Sequence, residues 1–138
     1  MRRVMMSLLV LLAGCATTPE QRAAQARDEA TTQAKLAKAL AGFEPSGPPQ
    51  TCINERRDDY HTTTIGDTIL YRFGRDEIFV NRAPGCQGAE RGDALVLVNY
   101  QAGLLCSGQI IRTVDVISRV QTGSCALGEF TPYKRARK

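Results

Sequence analysis

The 138-residue sequence predicts a mainly β fold: a small antiparallel barrel or sandwich, stapled by two disulfides and preceded by an N-terminal helical spacer. Three observations predict it. From residue 59 onward, β-branched and aromatic residues form short alternating runs separated by glycine-containing turns. Four cysteines, Cys52, Cys86, Cys106 and Cys125, are spread through that region at separations of 34, 20 and 19 residues. Ahead of it, residues 18–41 are dominated by alanine, glutamine, lysine and arginine, which are good helix formers.

The chain opens with Arg2 and Arg3, then the ten mostly apolar residues from Val4 to Ala13, then small residues at Ala13 and Gly14. That is the layout of a secretory signal. A membrane-spanning helix needs about 20 apolar residues, so the run is too short to be one. Leu12-Ala13-Gly14-Cys15 resembles the lipobox of bacterial lipoproteins. The resemblance implies cleavage before Cys15, a thioether from its sulfur to diacylglycerol, and acylation of the new N-terminus. It also implies an address. Ala16 follows the cysteine, whereas an Asp there favours inner-membrane retention in enteric lipoproteins. The outer membrane is therefore expected, with the domain facing the periplasm. Cleavage leaves 124 residues, enough for one small domain and a tether.

Without Arg2 and Arg3 the formal balance is 16 basic against 14 acidic side chains. Four of the basic residues, Lys134, Arg135, Arg137 and Lys138, lie in the last five positions. The body of the domain is slightly acidic, which argues against a nucleic-acid-binding face. The 134–138 tail reads as a solubilising end, with contact to anionic lipid headgroups as the alternative. Near a charged surface each basic residue contributes about 1 kcal/mol.

Within 18–41, Thr18 fits an N-cap, Pro19 the first helical position and Gln21 the third residue of a capping box. Gly42 is placed as the stop. Glu20, Lys35 and Lys38 complement the helix dipole. Leu36, Leu40 and Phe43 follow helical spacing, so only the C-terminal third carries an apolar stripe. The rod reads as a solvated spacer, with self-association or docking through that stripe as the alternative. Residues 44–51 contain Pro45, Gly47, Pro48 and Pro49 and read as a stiff extended linker.

The β domain is expected over 52–133. Residues 60–65 and 68–73 flank the turn signal Gly66-Asp67. Ile69, Tyr71 and Phe73 alternate with Leu70 and Arg72, as in a strand with one buried face. Gly74-Arg75-Asp76 turns the chain into 77–81, completing a meander. Residues 83–88 form a loop. The run 94–100 is nearly all apolar and suits a central strand, 109–120 reads as one long strand, and 124–130 as a short last one.

A secreted domain this small needs staples. Three pairings of the four cysteines are open. The nested one, Cys52–Cys125 with Cys86–Cys106, is expected, because it lets the first and last strands close the sheet while the inner pair pins the glycine-rich loop. Loop entropy then contributes about 4–5 kcal/mol from the outer bridge and about 3 from the inner. No CxxC occurs and His61 is the single histidine, so no metal site is expected.

Asp67-Thr68-Ile69-Leu70-Tyr71, Gly85-Cys86, Leu105-Cys106-Ser107-Gly108 and the 125–133 segment resemble an uncharacterised module of small proteobacterial lipoproteins. The resemblance implies a cysteine-bridged β domain and brings no catalytic residues. A direct search for chemistry finds His61 near Asp58 and Asp59, a pair that could act as a general base. Ser107, Ser118 and Ser124 have no nucleophile motif around them, and a solvated strand edge is the simpler reading of His61. Gly85 and Gly88 lack a phosphate-loop lysine. Arg91-Gly92-Asp93 matches an adhesion tripeptide but reads as a turn into the next strand. Phe130 and Tyr133 are expected to cap the core. No catalytic residue and no cofactor is expected. The function expected is that of a non-enzymatic envelope lipoprotein serving structural support or binding an unknown protein partner. An inhibitor or ligand-binding module is the alternative.

Overall fold

The computed structural model describes residues 17–55, 60–97 and 103–137. The N-terminal signal, the lipobox with Cys15, Asp58, Asp59 and Lys138 lie outside the described residues. The chain divides after Ala34 into two compact units.

Helix α1 (Pro19–Ala39) begins in the first unit. Its start is the capping box read from the sequence: the Gln21 amide donates to Thr18 Oγ1 at 3.2 Å, and the Thr18 amide donates to Gln21 Oε1 at 2.9 Å. The two reciprocal bonds satisfy donors that the first turn would otherwise leave open. No residue of α1 is buried.

The second unit contains the end of α1 and then strands β1 (Phe43–Pro45), β2 (Cys52–Asn54), β3 (Tyr60–Ile65), β4 (Thr68–Phe73), β5 (Glu77–Arg82), β6 (Ala94–Leu97), β7 (Leu104–Cys106), β8 (Ile110–Val114), β9 (Gln121–Ala126) and β10 (Phe130–Arg135). A short 3-10 helix, Gln87–Arg91, precedes β6. The strands form three antiparallel sheets, ordered β1-β10-β5-β4-β3, β2-β7 and β6-β8-β9. The fold is thus mainly β with one N-terminal helix and two disulfides. Among the described residues none of the sheets closes on itself, so a barrel is not supported, whereas a sandwich-like β fold is compatible with the three sheets.

The meander β3-β4-β5 follows the sequence reading, with Gly66 at φ 56° in the first turn, where a left-handed residue is needed. Strand β4 departs from it, because both of its faces are covered. Ile69 and Tyr71 join the main core with Phe79, Leu105, Ile111 and Phe130. Leu70 joins Ile65 and Ile78 in a second cluster on the opposite face. Leu36, Leu40 and Phe43 pack on that second cluster. The apolar stripe at the end of α1 is therefore a docking surface for the domain's own sheet. Gly42 at φ 79° ends the helix and lets Phe43 turn into β1.

Residues 44–51 do not run free as a linker. β1 pairs with β10, the Ser46 amide donates to Pro132 O at 2.9 Å, and Gln50 bridges Phe130. Pro45 sits in the edge strand β1, where a missing N–H costs no ladder bond. Lys134 and Arg135 likewise belong to β10 and not to a loose tail. Arg135 pairs with Asp76 at 3.1 Å and lies 4.9 Å over the Phe43 ring.

Three strand expectations shift. Among the described residues strand β6 is an edge strand and not a central one, with Val96 exposed, and 98–100 of the expected strand lie outside the described residues. The run 109–120 is broken at Asp115, whose side chain bonds its own turn. The run 124–130 splits into the end of β9 and the start of β10, because Gly128 turns the chain there. The Gly128 amide donates to Arg82 O at 3.0 Å, and a Cβ on Gly128 would lie 2.5 Å from that oxygen. Fully buried Asn81 holds the same turn, donating to Gly128 O at 2.7 Å and accepting from the Gly128 amide at 3.1 Å.

The disulfides are Cys52–Cys106 and Cys86–Cys125, an interleaved pairing in place of the nested one. Register explains the first, since β2 against β7 sets Cys52 opposite Cys106. Close approach explains the second. Gly85, at φ 96°, brings the loop after β5 so near β9 that a Cβ there would meet Ser124 O at 3.0 Å and Cys125 Cβ at 3.6 Å. The first and last strands do meet, as the nested pairing was meant to ensure, but through hydrogen bonds between β1 and β10. The bridges close loops of 54 and 39 residues, each contributing about 4 kcal/mol by loop entropy.

Candidate functional site

Two surface features of the second unit have the geometry of a site. The first is the tip of the β8–β9 hairpin. Asp115 Oδ1 accepts from the Ser118 amide at 2.6 Å, the Ser118 hydroxyl at 2.8 Å and the Ile117 amide at 3.1 Å. These bonds, the Ser118 amide first, hold its carboxyl below the usual carboxylate range. Arg119 takes a positive φ of 59° to complete the turn. The turn is thus fixed by its own polar groups, and its apolar side chains face solvent: Ile117 is 90% exposed, Val116 62% and Val120 60%. A rigid loop that presents aliphatic side chains is preorganised for contact.

The outer face of the three-stranded sheet continues this surface. Ile110 and Val96 are exposed, and Arg112 stands opposite Val96 in the register. The inner face is packed by Ile111 and Cys125, with the hydroxyl of buried Thr113 donating to Thr122 Oγ1 at 3.0 Å. Thr122 also donates to Asp93 at 2.6 Å, so Arg91-Gly92-Asp93 works as the turn into β6.

The second feature is a cleft of about 320 Å³ where the three sheets converge. Tyr60, Thr62 and Tyr71 come from the five-stranded sheet, Leu95, Leu97 and Ile111 from the three-stranded one, and Leu105 from β7. Glu55, just after β2, also lines it. The Tyr60 ring stacks on Phe73 with centroids 5.2 Å apart and lies 6.1 Å from the Tyr71 ring. Burial, then the charge and hydrogen bond of Glu55, push the Tyr60 phenol up. Burial raises Tyr71 further, reinforced by Tyr60 and Glu55. Both phenols are neutral donors at physiological pH.

His61 stands on the other face of β3, opposite Arg72 and away from the cleft. Its proposed partners Asp58 and Asp59 lie outside the described residues. The four domain cysteines are all paired. Phe130 is fully buried in the main core, and Tyr133 packs on the second cluster. Among the described residues no group of three or more His, Cys, Asp or Glu side chains could hold a metal ion, and no helix is long and apolar enough to cross a membrane. Sequence reasoning missed both surface features. The hairpin tip was hidden inside an apparent long strand, although Asp115 and Ser118 three residues apart are a turn signal. The cleft joins residues from six separate segments, and no local pattern announces it.

The chain matches no family model, no curated protein and no solved structure.

Proposed function

We propose that this chain is a non-enzymatic lipoprotein of a bacterial cell envelope, anchored through lipid on Cys15, with a sandwich-like β domain that binds a protein partner. The observation that carries the reading is one short chain joining a lipobox to two interleaved disulfides. Structural disulfides belong to oxidising compartments, and a lipobox addresses a chain to one. The outer membrane, with the domain in the periplasm, follows from Ala16. Contact of Arg137 and its basic neighbours with anionic headgroups is a secondary part of the proposal.

The hairpin tip favours a more specific second reading, an inhibitor that inserts Ile117 into a cleft of an envelope enzyme. Both readings use the same surface and are tested together. Labelled palmitate should enter the wild-type protein and not the Cys15→Ser variant; equal labelling removes the anchor. A photoreactive residue at position 117 should crosslink to a protein in intact cells, whereas the same residue at exposed Thr63 should not. Crosslinks only to lipid, or equal yields at both positions, overturn partner binding by the hairpin.

A further inference from the structure

We infer that Cys52–Cys106 is a reversible modification site, open to exchange with a thiol or dithiol, while Cys86–Cys125 stays a fixed cross-link. This goes beyond the partner-binding reading and stands whether or not the hairpin engages a protein. The two bridges close loops of 54 and 39 residues, so loop entropy hardly distinguishes them. Their surroundings do. Cys86 and Cys125 belong to the main core and are 0% and 5% exposed. A thiolate cannot reach that bridge without opening the core, and the thiolate it released would be stranded among apolar side chains. Cys52–Cys106 lies on the outer side of its strands. In β2, buried Ile53 is flanked by exposed Cys52 and Asn54, and in β7, buried Leu105 is flanked by exposed Leu104 and half-buried Cys106. Alternation therefore turns Ile53 and Leu105 into the core and the bridge away from it.

The chemistry follows from that difference in access. A thiolate attacks the sulfur of Cys52, the more exposed partner, and forms a mixed disulfide as the bond to Cys106 breaks. Cys106 leaves as a thiolate and takes a proton from water. A second thiolate then attacks the reagent's sulfur in the mixed disulfide, releasing Cys52 as a thiol and the reagent as its own disulfide. Two electrons pass from the two reagent thiols to the bridge. Contacts other than the bond hold the strands meanwhile. Ile53 and Leu105 stay buried opposite one another. The Ser107 amide donates to Thr51 O at 2.7 Å and the Glu55 amide donates to Gly103 O at 3.0 Å, one at each end of the strand pair. The same register keeps Cys52 opposite Cys106, so the open form is set to close again on its original partner.

The test uses the full-length chain carrying Cys15→Ser, in which Cys52, Cys86, Cys106 and Cys125 are the only cysteines. The oxidised protein is held in reduced glutathione at mildly alkaline pH, quenched by alkylation and mapped by mass spectrometry. Cys52 and Cys106 should become modified at least about tenfold faster than Cys86 and Cys125, which react only through opening of the core. In the singly exchanged form, glutathione should sit on Cys52 and the alkyl group on Cys106. Amide protection in β4 and β5 should persist, and oxidised glutathione should restore Cys52–Cys106 alone. Cys52→Ala combined with Cys106→Ala should fold, keep Cys86–Cys125 and take up no glutathione. Equal rates at the two bridges, faster reaction at Cys86 and Cys125, or glutathione on Cys106 overturns the proposal. Lost amide protection when the outer bridge alone is open, in the reduced chain or in the double variant, does so too.

Discussion

In the five-stranded sheet, β4 and β5 are covered on both faces, by the main core on one side and by Ile65, Leu70 and Ile78 under the end of α1 on the other. In the three-stranded sheet only the inner face is covered, and the outer face shows Val96, Ile110 and the apolar hairpin tip to solvent. The first sheet is therefore held chiefly by apolar burial, which grows with each face that is covered. The second has half of that and is tied by Cys86–Cys125, from the loop after β5 to β9. The contrast teaches a division of labour: a covalent link stands in for packing where a surface is left open.

The largest effect should come from cutting that link. Cys86→Ala combined with Cys125→Ala should lower stability by about 4 kcal/mol in urea titrations, and amide exchange should rise first in β8 and β9. Uniform exchange across both sheets would break the comparison. Next comes the doubly covered sheet. Ile78→Ala, at a fully buried position, should cost about 2–5 kcal/mol, while Ile110→Ser should change stability by less than about 0.5 kcal/mol. Similar losses from the two substitutions, read as denaturation midpoints, would show that the outer face is structural. Asn81→Ala should cost about 1–3 kcal/mol by leaving the Gly128 turn without its side-chain partner.

The smallest effect is a pH dependence confined to the cleft. The phenols of Tyr60 and Tyr71 titrate above their ordinary value of 10.0 in the folded chain. Their contribution is fully present below pH 10 and is lost as pH rises through the folded values. Stability should thus fall on the alkaline side, and Tyr71→Phe should blunt the fall. An unchanged alkaline profile in that variant would separate the cleft from stability.

Local patterns carried much of this fold. Thr18 and Gln21 announce their capping box because a cap needs only neighbours in sequence. The meander from Tyr60 to Arg82 was legible because tight turns and period-two alternation are local too. What failed was non-local. The disulfide pairing depends on the β2–β7 register and on the approach of Gly85 to β9, neither of which spacing encodes. The proline-rich 44–51 segment looked like a linker because its partner, β10, is some 85 residues away. The aliphatic run from Ile110 to Val120 concealed a turn because one Asp outweighs several β-branched neighbours once it caps its own backbone. Glu55, Tyr60 and Tyr71 read as unrelated residues until three sheets meet.

The position of β10 has a consequence for biogenesis. Strand β10, which follows every other described strand in the chain, is inserted between β1 and β5, so a growing chain cannot finish its largest sheet until residue 135 has emerged. The four thiols of the β domain obey the same clock: of these, Cys52 and Cys86 emerge first and are not partners, so oxidation in order of appearance gives the wrong isomer. Such a chain depends on delayed or correctable oxidation, and its yield should follow the supply of a disulfide isomerase more closely than its thermodynamic stability.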